Sequence, residues 1–588
     1  MTVKDCSNSA TPKKKLLIRL SGLLIPLISF AHPAYAATSY YVAPNGSDSN
    51  PGTITQPFRT IEYAVGRLTA GTTLLMRGGT YRPTRGVWLG QAGTSTAPIT
   101  IQPYPGEQPV IDGTNMPQDT DCVSIGGSFI NVKGIECKNA KRVGINLYCA
   151  HNINILDNKV HDAFGTGIAG FCWTQGNMHD LVIKGNTVFH NVLSNKARTA
   201  NGGWGTGMAV LRGTNVTLAN NKVYENYGEG LGCFTSTNCL IQDNTIYDNF
   251  SAELYIANST NVTAERNLIY SKGNTAYFRN LSGVWGPATG ILLGDEGCGD
   301  PVRITLNNVI VRNNIVVNGR NGFTYAAFDC FDHGMQTTQV VNNTFYGSTE
   351  ALLVINYNSN NTGNSVANNI FFQTKGKPIT MLGDLKSVTY SNNLWFGGAP
   401  ESVAVSQSDL RADPLFSVPG SVRAIDYQFK TGSPAIDKGK AISATFNDYF
   451  GTVRPSGNSY DIGAYEFRYF STARSSGKSH NISANEPRES HEAMRSRILP
   501  QRKVQQPRLN LCQKSIREAF SSASISRQKT TSSRQARQQL MQGRRSGQQP
   551  TLPSAVPTRL ARATTAAHTS SVRPCDRASY PSTKPNPT

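Results

Sequence analysis

The sequence has 588 residues and a formal net charge of +20 at pH 7. This charge is concentrated at the two ends, because residues 468–588 hold 22 Lys and Arg against 5 Asp and Glu, and residues 1–36 hold five basic residues and one acidic residue. The residues between them have a net charge close to −1. The basic character of the whole chain therefore gives no reason to expect nucleic-acid binding by its central part, and we predict none there.

The first 36 residues have the pattern of a secretory signal peptide. Three lysines at 13–15 precede an apolar run from Leu16 to Phe30, and Ala-Tyr-Ala follows at 34–36. The run is shorter than the ~20 residues that span a bilayer, and Arg19 interrupts it. We therefore predict cleavage after residue 36, a secreted or extracytoplasmic monomer, and no transmembrane segment after cleavage.

The mature chain opens with a strand, a turn rich in Gly, Pro and Asn, an amphipathic helix from about Phe58 to Leu68, and a second strand. A helix at this place is expected to cap the open end of a stack of strands, because an uncovered sheet edge invites pairing with another chain.

The central segment is a repeat, and one Asn-containing phrase recurs in it. Examples are LDNKVHD at 156–162, LANNKVYEN at 218–226 and IQDNTIYDN at 241–249. One Asn marks each copy: Asn158, Asn186, Asn221, Asn244, Asn267, Asn314, Asn343, Asn369 and Asn393. The shortest spacing is 23 residues, which suits one turn of a parallel β-helix, and the longer spacings indicate loop insertions.

Apolar residues alternate within each copy, which is the period of a strand. A further apolar residue follows each Asn two places on, as Val223 follows Asn221. We therefore place the Asn at a bend between two strands and predict a structural ladder of stacked Asn side chains that satisfies the buried bend.

Eight cysteines lie between the signal peptide and the basic tail, and an even number agrees with disulfide pairing in an exported protein. Cys149 and Cys172 lie 23 residues apart, a spacing that would place them in adjacent coils. Cys233 and Cys239 are close enough in sequence to close a small loop. The sequence leaves the full connectivity open.

The end of the repeat region is followed by a closing segment and a tail. We predict coils with the Asn ladder over about 122–397, a closing segment over about 409–467, and a domain that spans 37–467 with its cap and first coils at 39–113. Residues 468–588 are rich in Ser, Arg, Gln and Pro and poor in aromatic residues, so we predict a disordered basic tail.

Several segments resemble secreted right-handed parallel β-helix proteins, a group that includes pectate- and alginate-type polysaccharide lyases and members of unknown activity. The resemblance is carried by the opening YYVAPNGSDSNPG, by PITIQPYPGEQPVIDG at 98–113, by the Asn-ladder coils, and by DPLFSVPGS at 413–421 and YDIGAYEF at 460–467. It implies an all-β, single-stranded, right-handed solenoid and specifies the fold more closely than the reaction.

Alignment of the coils HDAFGTGI, YENYGEGL and YDNFSAEL places Asp162, His190, Glu225 and Asp248 in one outward column. Adjacent strands lie about 4.8 Å apart, so stacked carboxylates repel unless a cation or a shared proton neutralises them. We therefore predict Asp162, Glu225 and Asp248 as ligands of Ca²⁺, which accepts several oxygen ligands in a flexible geometry.

Aromatic residues beside this column predict a sugar-binding surface. Tyr224 and Tyr247 are next to the acidic residues, and long insertions on either side contain Trp204 and Trp285. Flat apolar ring faces stack on sugars, while polar rims bind the hydroxyls. We predict these four residues, together with Arg266 one coil beyond, as substrate-binding residues.

A lyase needs a positive charge near the uronate carboxylate and a base that removes the neighbouring proton. Lys222 and His190 are the candidate bases, and Glu229 and Glu253 extend the acidic patch as further catalytic candidates. The most favoured function is the binding and β-eliminative cleavage of an acidic polysaccharide. Two alternatives stay open: a glycoside hydrolase that uses paired carboxylates, and a non-catalytic glycan-binding or cell-surface protein.

Overall fold

The computed structural model describes residues 38–298, 300–328, 332–374 and 376–468. The predicted signal peptide and almost all of the predicted tail lie outside the described residues, so both stay predictions. Within the described residues, no helix is long and apolar enough to cross a membrane.

The described chain forms three long parallel sheets, to which successive coils contribute one strand each. We name them sheet A, sheet B and sheet C in the order in which a coil visits them. The turn from sheet A to sheet B contains the repeated Asn, and the turn from sheet B to sheet C contains the predicted acidic column.

Sheet A has 14 strands in the described part of the chain. They are Ser39–Val42, Thr73–Met76, Ile99–Pro103, Ser128–Lys133, His151–Leu156, Met178–Lys184, Gly213–Ala219, Thr237–Gln242, Thr260–Glu265, Leu306–Arg312, Met335–Gln336, Gln339–Val341, Asn364–Ala367 and Val388–Ser391.

Sheet B has 13 strands over the same residues. They are Gly79–Tyr81, Pro109–Asp112, Glu136–Lys138, Lys159–His161, Thr187–Phe189, Lys222–Tyr224, Thr245–Tyr247, Leu268–Tyr270, Ile315–Gly319, Thr344–Ser348, Ile370–Phe372, Leu394–Phe396 and Leu410–Arg411.

Sheet C has 11 described strands. They are Val87–Leu89, Val123–Ile125, Ile145–Tyr148, Ile168–Phe171, Thr206–Leu211, Glu229–Phe234, Ala252–Ala257, Thr289–Gly294, Phe323–Ala326, Leu353–Ile355 and Thr380–Leu382. A short antiparallel hairpin, Arg279–Leu281 with Val284–Gly286, lies in one of the insertions. Short 3₁₀ turns occur at Gly113–Asn115, Leu193–Asn195, Thr275–Tyr277, Ser402–Ala404 and Ala424–Tyr427.

The core fills the interior of the solenoid with stacked apolar columns. The residue two places after each Asn points inward, and neighbouring coils place these residues in register. The first five members of this column are fully buried: Val160, Val188, Val223, Ile246 and Ile269. Their β-branched side chains suit a buried strand, because they pack well on a pleated surface.

The Asn ladder is confirmed. In a typical step, Asn244 Oδ1 accepts hydrogen bonds from Asn221 N at 2.9 Å and from Asn221 Nδ2 at 3.1 Å. Asn221 Nδ2 also donates to the Ile183 carbonyl at 2.9 Å. The residue before each ladder Asn is the bend itself, and Asn220 and Asp243 there have φ values of 53° and 56°. The ladder therefore satisfies backbone groups that the left-handed bend leaves unpaired.

The N-terminal helix is shorter than predicted. It spans only Ile61–Val65, and Thr60 caps it by accepting a hydrogen bond from Tyr63 N at 3.3 Å. The helix ends where Gly66 follows, since Gly is a poor helix former. Its buried side chains join the core at the end of the stack, which is the capping position that the sequence predicts.

The last described segment packs on the outer face of sheet B. Phe416, Tyr427 and Tyr465 form one apolar cluster with Tyr270 and Ile370. This segment covers the later coils of sheet B, and the predicted acidic column lies at the sheet B to sheet C turn of earlier coils.

Two predicted disulfides are confirmed, Cys149–Cys172 between adjacent coils and Cys233–Cys239 across the short turn from sheet C to sheet A. A third joins Cys122 to Cys137, and Cys298 is also disulfide-bonded.

We expect the double variant Cys149→Ser/Cys172→Ser to be less stable than wild type by about 3 kcal/mol, because the bond closes a loop of the unfolded chain. Denaturant unfolding measures this loss. Reductant should destabilise the double variant less than wild type, and an equal effect of reductant on both proteins would contradict a role for this bond.

Candidate functional site

The predicted column exists at the turn from sheet B to sheet C. Asp162, His190, Glu225 and Asp248 each directly follow a sheet B strand and have φ values of 56°, 54°, 53° and 51°. The left-handed conformation is uncommon for residues other than Gly. Its recurrence in successive coils holds these side chains in one line.

Imidazoles alternate with carboxylates from the adjoining sheet B strands into this line. His161 Nδ1 lies 2.7 Å from Asp162 Oδ2, and His161 Nε2 lies 3.1 Å from Glu136 Oε1. His190 Nε2 lies 3.0 Å from Glu225 Oε2, and His190 Nδ1 lies 4.0 Å from Asp162 Oδ1. We call Glu136, His161, Asp162, His190 and Glu225 the acid–histidine column. Its imidazoles separate the carboxylates whose repulsion the sequence implied.

Electrostatics favours the ionised form of Glu136 in this column. Burial opposes ionisation of Glu136, but hydrogen bonds from His161 and Lys159 outweigh it and lower the pKa of Glu136. Asn274, which lies in the following insertion, donates to Glu225 Oε1 at 3.2 Å.

The predicted calcium ligands do not converge on one point. His190 lies between Asp162 and Glu225, and Asp248 Oδ1 instead accepts hydrogen bonds from Ser271 Oγ and Lys272 N, both at 2.9 Å. Over the described ranges, no group of three or more His, Cys, Asp or Glu is arranged to hold a metal ion. These residues therefore do not fit a shared calcium site, and calcium binding by the protein stays a prediction.

Burial raises the pKa of Asp248 above its usual value, despite the bonds from Ser271 and Lys272. Asp248 is 3% exposed. Asp248 occupies the position equivalent to Glu225 one coil later, but its carboxylate is buried in the protein and does not face a substrate.

The predicted aromatic residues form a ladder of stacked rings, and this corrects their role as sugar platforms. Centroids are 5.1 Å apart for Phe189 and Tyr224, and 4.8 Å apart for Tyr224 and Tyr247 and for Tyr247 and Tyr270. Tyr247 is 4% exposed. Because neighbouring rings cover both faces of Tyr224 and Tyr247, a sugar cannot stack on them.

Three lysines flank this ladder. Lys222 Nζ lies 5.1 Å from the Tyr224 ring centroid, Lys272 Nζ lies 4.1 Å from that of Tyr247, and Lys159 Nζ pairs with Glu136 at 3.1 Å. Lys222 is exposed. The strip beside the acid–histidine column therefore presents ammonium groups to solvent.

Two long insertions border the column, as predicted, and contact each other. Arg198 of the first donates to the Thr275 carbonyl of the second at 2.8 Å and lies 4.7 Å from the Trp285 ring centroid. Tyr277 of the second lies parallel to the His190 ring at 6.4 Å. Trp285 is half exposed, so it remains available for the predicted sugar contact.

The same insertions bury two other predicted residues, which corrects their roles. Trp204 Nε1 donates to Glu229 Oε1 at 2.6 Å, and the Arg279 guanidinium lies 4.5 Å from the Trp204 ring centroid. Glu229 is 3% exposed, and burial raises its pKa to about 8. Glu229 is therefore a buried acid that is mostly protonated at neutral pH, and neither residue reaches a substrate.

Glu253 has a structural role, which corrects its prediction as catalytic. It takes the inward position that Gly207 and Gly230 occupy in the preceding coils. A second Asn ladder, Asn191, Asn226 and Asn249, runs past those glycines.

The Glu253 carboxylate accepts a hydrogen bond from Asn249 Nδ2 at 2.6 Å and further bonds from Asn249 N. Burial raises the pKa of Glu253 well above its usual value. Glu253 therefore ends the second ladder, where the next coil has no Asn to continue it.

Arg266 lies away from the column, at the turn from sheet A to sheet B. It pairs with Asp243 at 3.0 Å and with Glu265 at 2.6 Å, and Glu265 also pairs with Arg312. Because its guanidinium is engaged in these ion pairs, the predicted role of Arg266 in substrate binding is wrong. Arg266 instead belongs to an ion-pair network between coils.

The sequence interpretation missed Glu136 and Asn274 as partners of the column. Glu136 could have been found, because it occupies the sheet B position of Lys159 one coil earlier. Asn274 lies in an insertion whose path the repeat does not define.

One strand per coil in each of three parallel sheets defines a parallel β-helix. Residues 40–368 match the family model described as the Pel9A-like, right handed beta helix region. The chain belongs to this family.

Curated relatives match parts of the chain. Pectate lyase PEL9 of Emericella nidulans is 40% identical over 98 residues, which is 17% of this chain and 24% of that protein. The uncharacterized protein YwoF of Bacillus subtilis is 31% identical over 186 residues, which is 28% of this chain and 38% of that protein. The chain thus spans well under half the length of these relatives.

Solved structures are similar to the chain at low identity. Pectate lyase Pel9A has 19% identity and a TM-score of 0.42, over 74% of this chain and 96% of that one. XylC, in complex with xylose, has 13% identity and a TM-score of 0.49, over 73% and 99%.

Proposed function

We propose that the protein is an exported polysaccharide lyase that cleaves an acidic, uronate-containing polymer by β-elimination at the acid–histidine column. The observation that carries the proposal is the pairing of the half-exposed His190 with Glu225 at 3.0 Å. Membership of a family whose relatives include pectate lyases supports the reaction class. Disulfides support export.

His190 has the features of a general base. Its side chain is 39% exposed, and a hydrogen bond from Nε2–H to Glu225 fixes the tautomer. In that tautomer Nδ1 has a lone pair, and the nearest carboxylate oxygen, Asp162 Oδ1, lies 4.0 Å away. Nδ1 can therefore accept a proton from a substrate placed beside the column.

In the proposed step, His190 removes the proton from the carbon next to the uronate carboxylate. The electrons of that C–H bond form a carbon–carbon double bond, the bond to the glycosidic oxygen breaks, and the leaving oxygen takes up a proton. Glu225 stabilises the imidazolium that forms, because an opposite charge at hydrogen-bond distance favours the protonated ring.

The flanking lysines supply the positive charge that such a substrate needs. Lys222 extends to solvent along the aromatic ladder, and the exposed Lys272 lies against the Tyr247 ring in the same strip. Ammonium groups on this strip attract a polyanion and offset the charge of the uronate carboxylate.

The wild-type protein should release products with the ultraviolet absorbance of an unsaturated uronate from polygalacturonate or alginate. We expect His190→Ala to lower kcat by about a hundredfold or more, because general acid–base catalysis contributes 10²–10⁴-fold. His333→Ala is a matched control, since His333 lies on a loop before sheet A strand Met335–Gln336.

Equal kcat for His190→Ala and wild type would contradict the site. New reducing ends without that absorbance would indicate a hydrolase instead. Retention on a glycan column without either product would indicate a binding protein.

A further inference from the structure

A cavity of about 440 Å³ lies on the outer face of sheet A near the N-terminal end of the solenoid. Ser95, in the turn before the sheet A strand Ile99–Pro103, lines one side. Asn131 and Asn154, on two adjacent sheet A strands, line the floor. A volume in this range is typical of small-ligand sites. The acid–histidine column lies on sheet B and in the turn between sheets B and C, so the two features are separate.

The floor of the cavity is a row of amides. Asn154 Nδ2 donates to Asn131 Oδ1 at 2.7 Å, and Asn131 Nδ2 donates to Thr100 Oγ1 at 3.1 Å. Each carboxamide has two N–H donors and two acceptor lone pairs, so these bonds use only part of its capacity. Both amides point outward, since Ile130, Val132 and their neighbours fill the inward positions. A sugar hydroxyl, which donates and accepts, fits such groups.

The remaining walls combine a carboxylate with apolar surface. Asp180 accepts hydrogen bonds from His179 and Asn215, which outweigh the opposing effect of burial and lower the pKa of Asp180. The Phe129 ring and Pro98 supply the apolar part of the lining. Ionised carboxylates bind vicinal hydroxyls, and an aromatic ring suits the apolar face of a sugar.

The charge of the lining selects against acidic sugars. Its only charged side chain among the described residues is Asp180, and it contains no Lys or Arg. A uronate carboxylate placed here would meet a like charge without a compensating cation. The strip beside the acid–histidine column has the opposite character, because Lys159, Lys222 and Lys272 flank it.

We propose that this cavity is a binding site for a neutral saccharide, distinct from the site of the proposed lyase reaction. An exposed row of amides continues from its wall along sheet A, and its bonds join side chains of successive coils at 3.0 Å and 3.1 Å. This row begins at Asn152 and Asp180 and continues through Asn215, Asn238, Asn261 and Asn308. The site therefore suits an oligosaccharide that runs along the stack of coils.

The test measures binding by isothermal titration calorimetry in the His190→Ala background, so that turnover does not interfere and failure of the lyase proposal leaves the result readable. The probes are xylohexaose and galactohexaose as neutral oligosaccharides and hexagalacturonate as the acidic comparator. We expect at least one neutral probe to bind.

The added change Ser95→Trp should weaken binding of that neutral probe by about tenfold or more, because the indole fills the cavity from an exposed turn. The added change Thr96→Trp is the matched control, since Thr96 is exposed on the same turn but outside the lining. It should leave the affinity within about twofold of the parent protein.

Asn131→Ala provides a second variant that removes an amide without adding bulk, and it should also weaken binding. Thermal unfolding of each variant checks that the fold is retained. Failure of both neutral probes to bind, unchanged affinity in Ser95→Trp, or a loss confined to hexagalacturonate would overturn the proposal.

Discussion

Replacement of Asn267 by Ala should lower the free energy of unfolding by about 4 kcal/mol, because it leaves several buried polar groups unpaired at once. Asn267 Oδ1 accepts from Asn244 N at 3.0 Å and from Asn244 Nδ2 at 2.9 Å. Asn267 Nδ2 donates to the Ile241 carbonyl at 3.0 Å and to Asn314 Oδ1 at 2.9 Å. Asn267 is completely buried, so water cannot replace these bonds without opening the bend.

The same coil offers a matched control. Asn261 belongs to the exposed amide row and has a φ of 58°, so Asn261→Gly removes an amide while it keeps the left-handed backbone accessible. We expect this variant to remain within about 1 kcal/mol of wild type in denaturant unfolding. Equal losses for the two variants would show that burial of the ladder is not the source of its stabilising effect.

Replacement of Glu229 by Gln should stabilise the protein at alkaline pH by on the order of 4 kcal/mol. The pKa of Glu229 in the folded protein is raised to about 8 by burial, from a usual value of 4.5. Gln has nearly the same shape, stays neutral, and keeps an oxygen that can accept the hydrogen bond from Trp204 Nε1.

The pH window follows from the raised pKa. Between about pH 4.5 and pH 8 the folded protein retains a proton on Glu229 that the unfolded chain has lost, so stability falls as pH rises through this range. Below it both states are protonated, and wild type and Glu229→Gln should be similarly stable. Above about pH 8 Glu229 is ionised in the folded protein as well, so the full free-energy cost of burying a charged carboxylate lowers the stability of wild type.

Thermal unfolding measured from pH 4 to about pH 9 tests this expectation. The melting temperature of wild type should decline relative to that of Glu229→Gln across the window. Glu62→Gln, a change at the partly exposed N-terminal helix, should keep the wild-type profile. Parallel profiles for wild type and Glu229→Gln would contradict a buried, protonated Glu229.

The ladder and the column were predictable because both depend on register alone. Once Asn221 and Asn244 are placed in equivalent positions, every other position of the two coils is also paired, and Glu225 must lie beside Asp248. Inward-facing positions followed from the strand period for the same reason.

Burial by the insertions could not be predicted in the same way. Trp204 and Glu229 look like exposed groove residues when only the coil alignment is considered, but the path of the insertions decides that Trp204 covers Glu229. That path depends on contacts such as Arg198 with Trp285, which no repeat encodes.

The alternation of carboxylates and imidazoles in the column is visible in the sequence, and the calcium prediction takes only the carboxylates into account. Asp162, His190 and Glu225 follow one another in successive coils, and the His190 imidazole lies between the two carboxylates for which a shared calcium ion was predicted. Glu253 illustrates the converse case, since it replaces Gly207 and Gly230 in an inward column and therefore signals a change of structure rather than a site.

The most direct test of the proposed β-elimination is digestion of polygalacturonate and alginate in water labelled with heavy oxygen, followed by mass spectrometry of the products. In β-elimination no water enters the cleaved bond, so we predict unsaturated products with no label introduced by cleavage, formed by wild type and His333→Ala and strongly reduced in His190→Ala. Label in the new reducing ends as they form, or the absence of any cleavage product from both polymers, would contradict it.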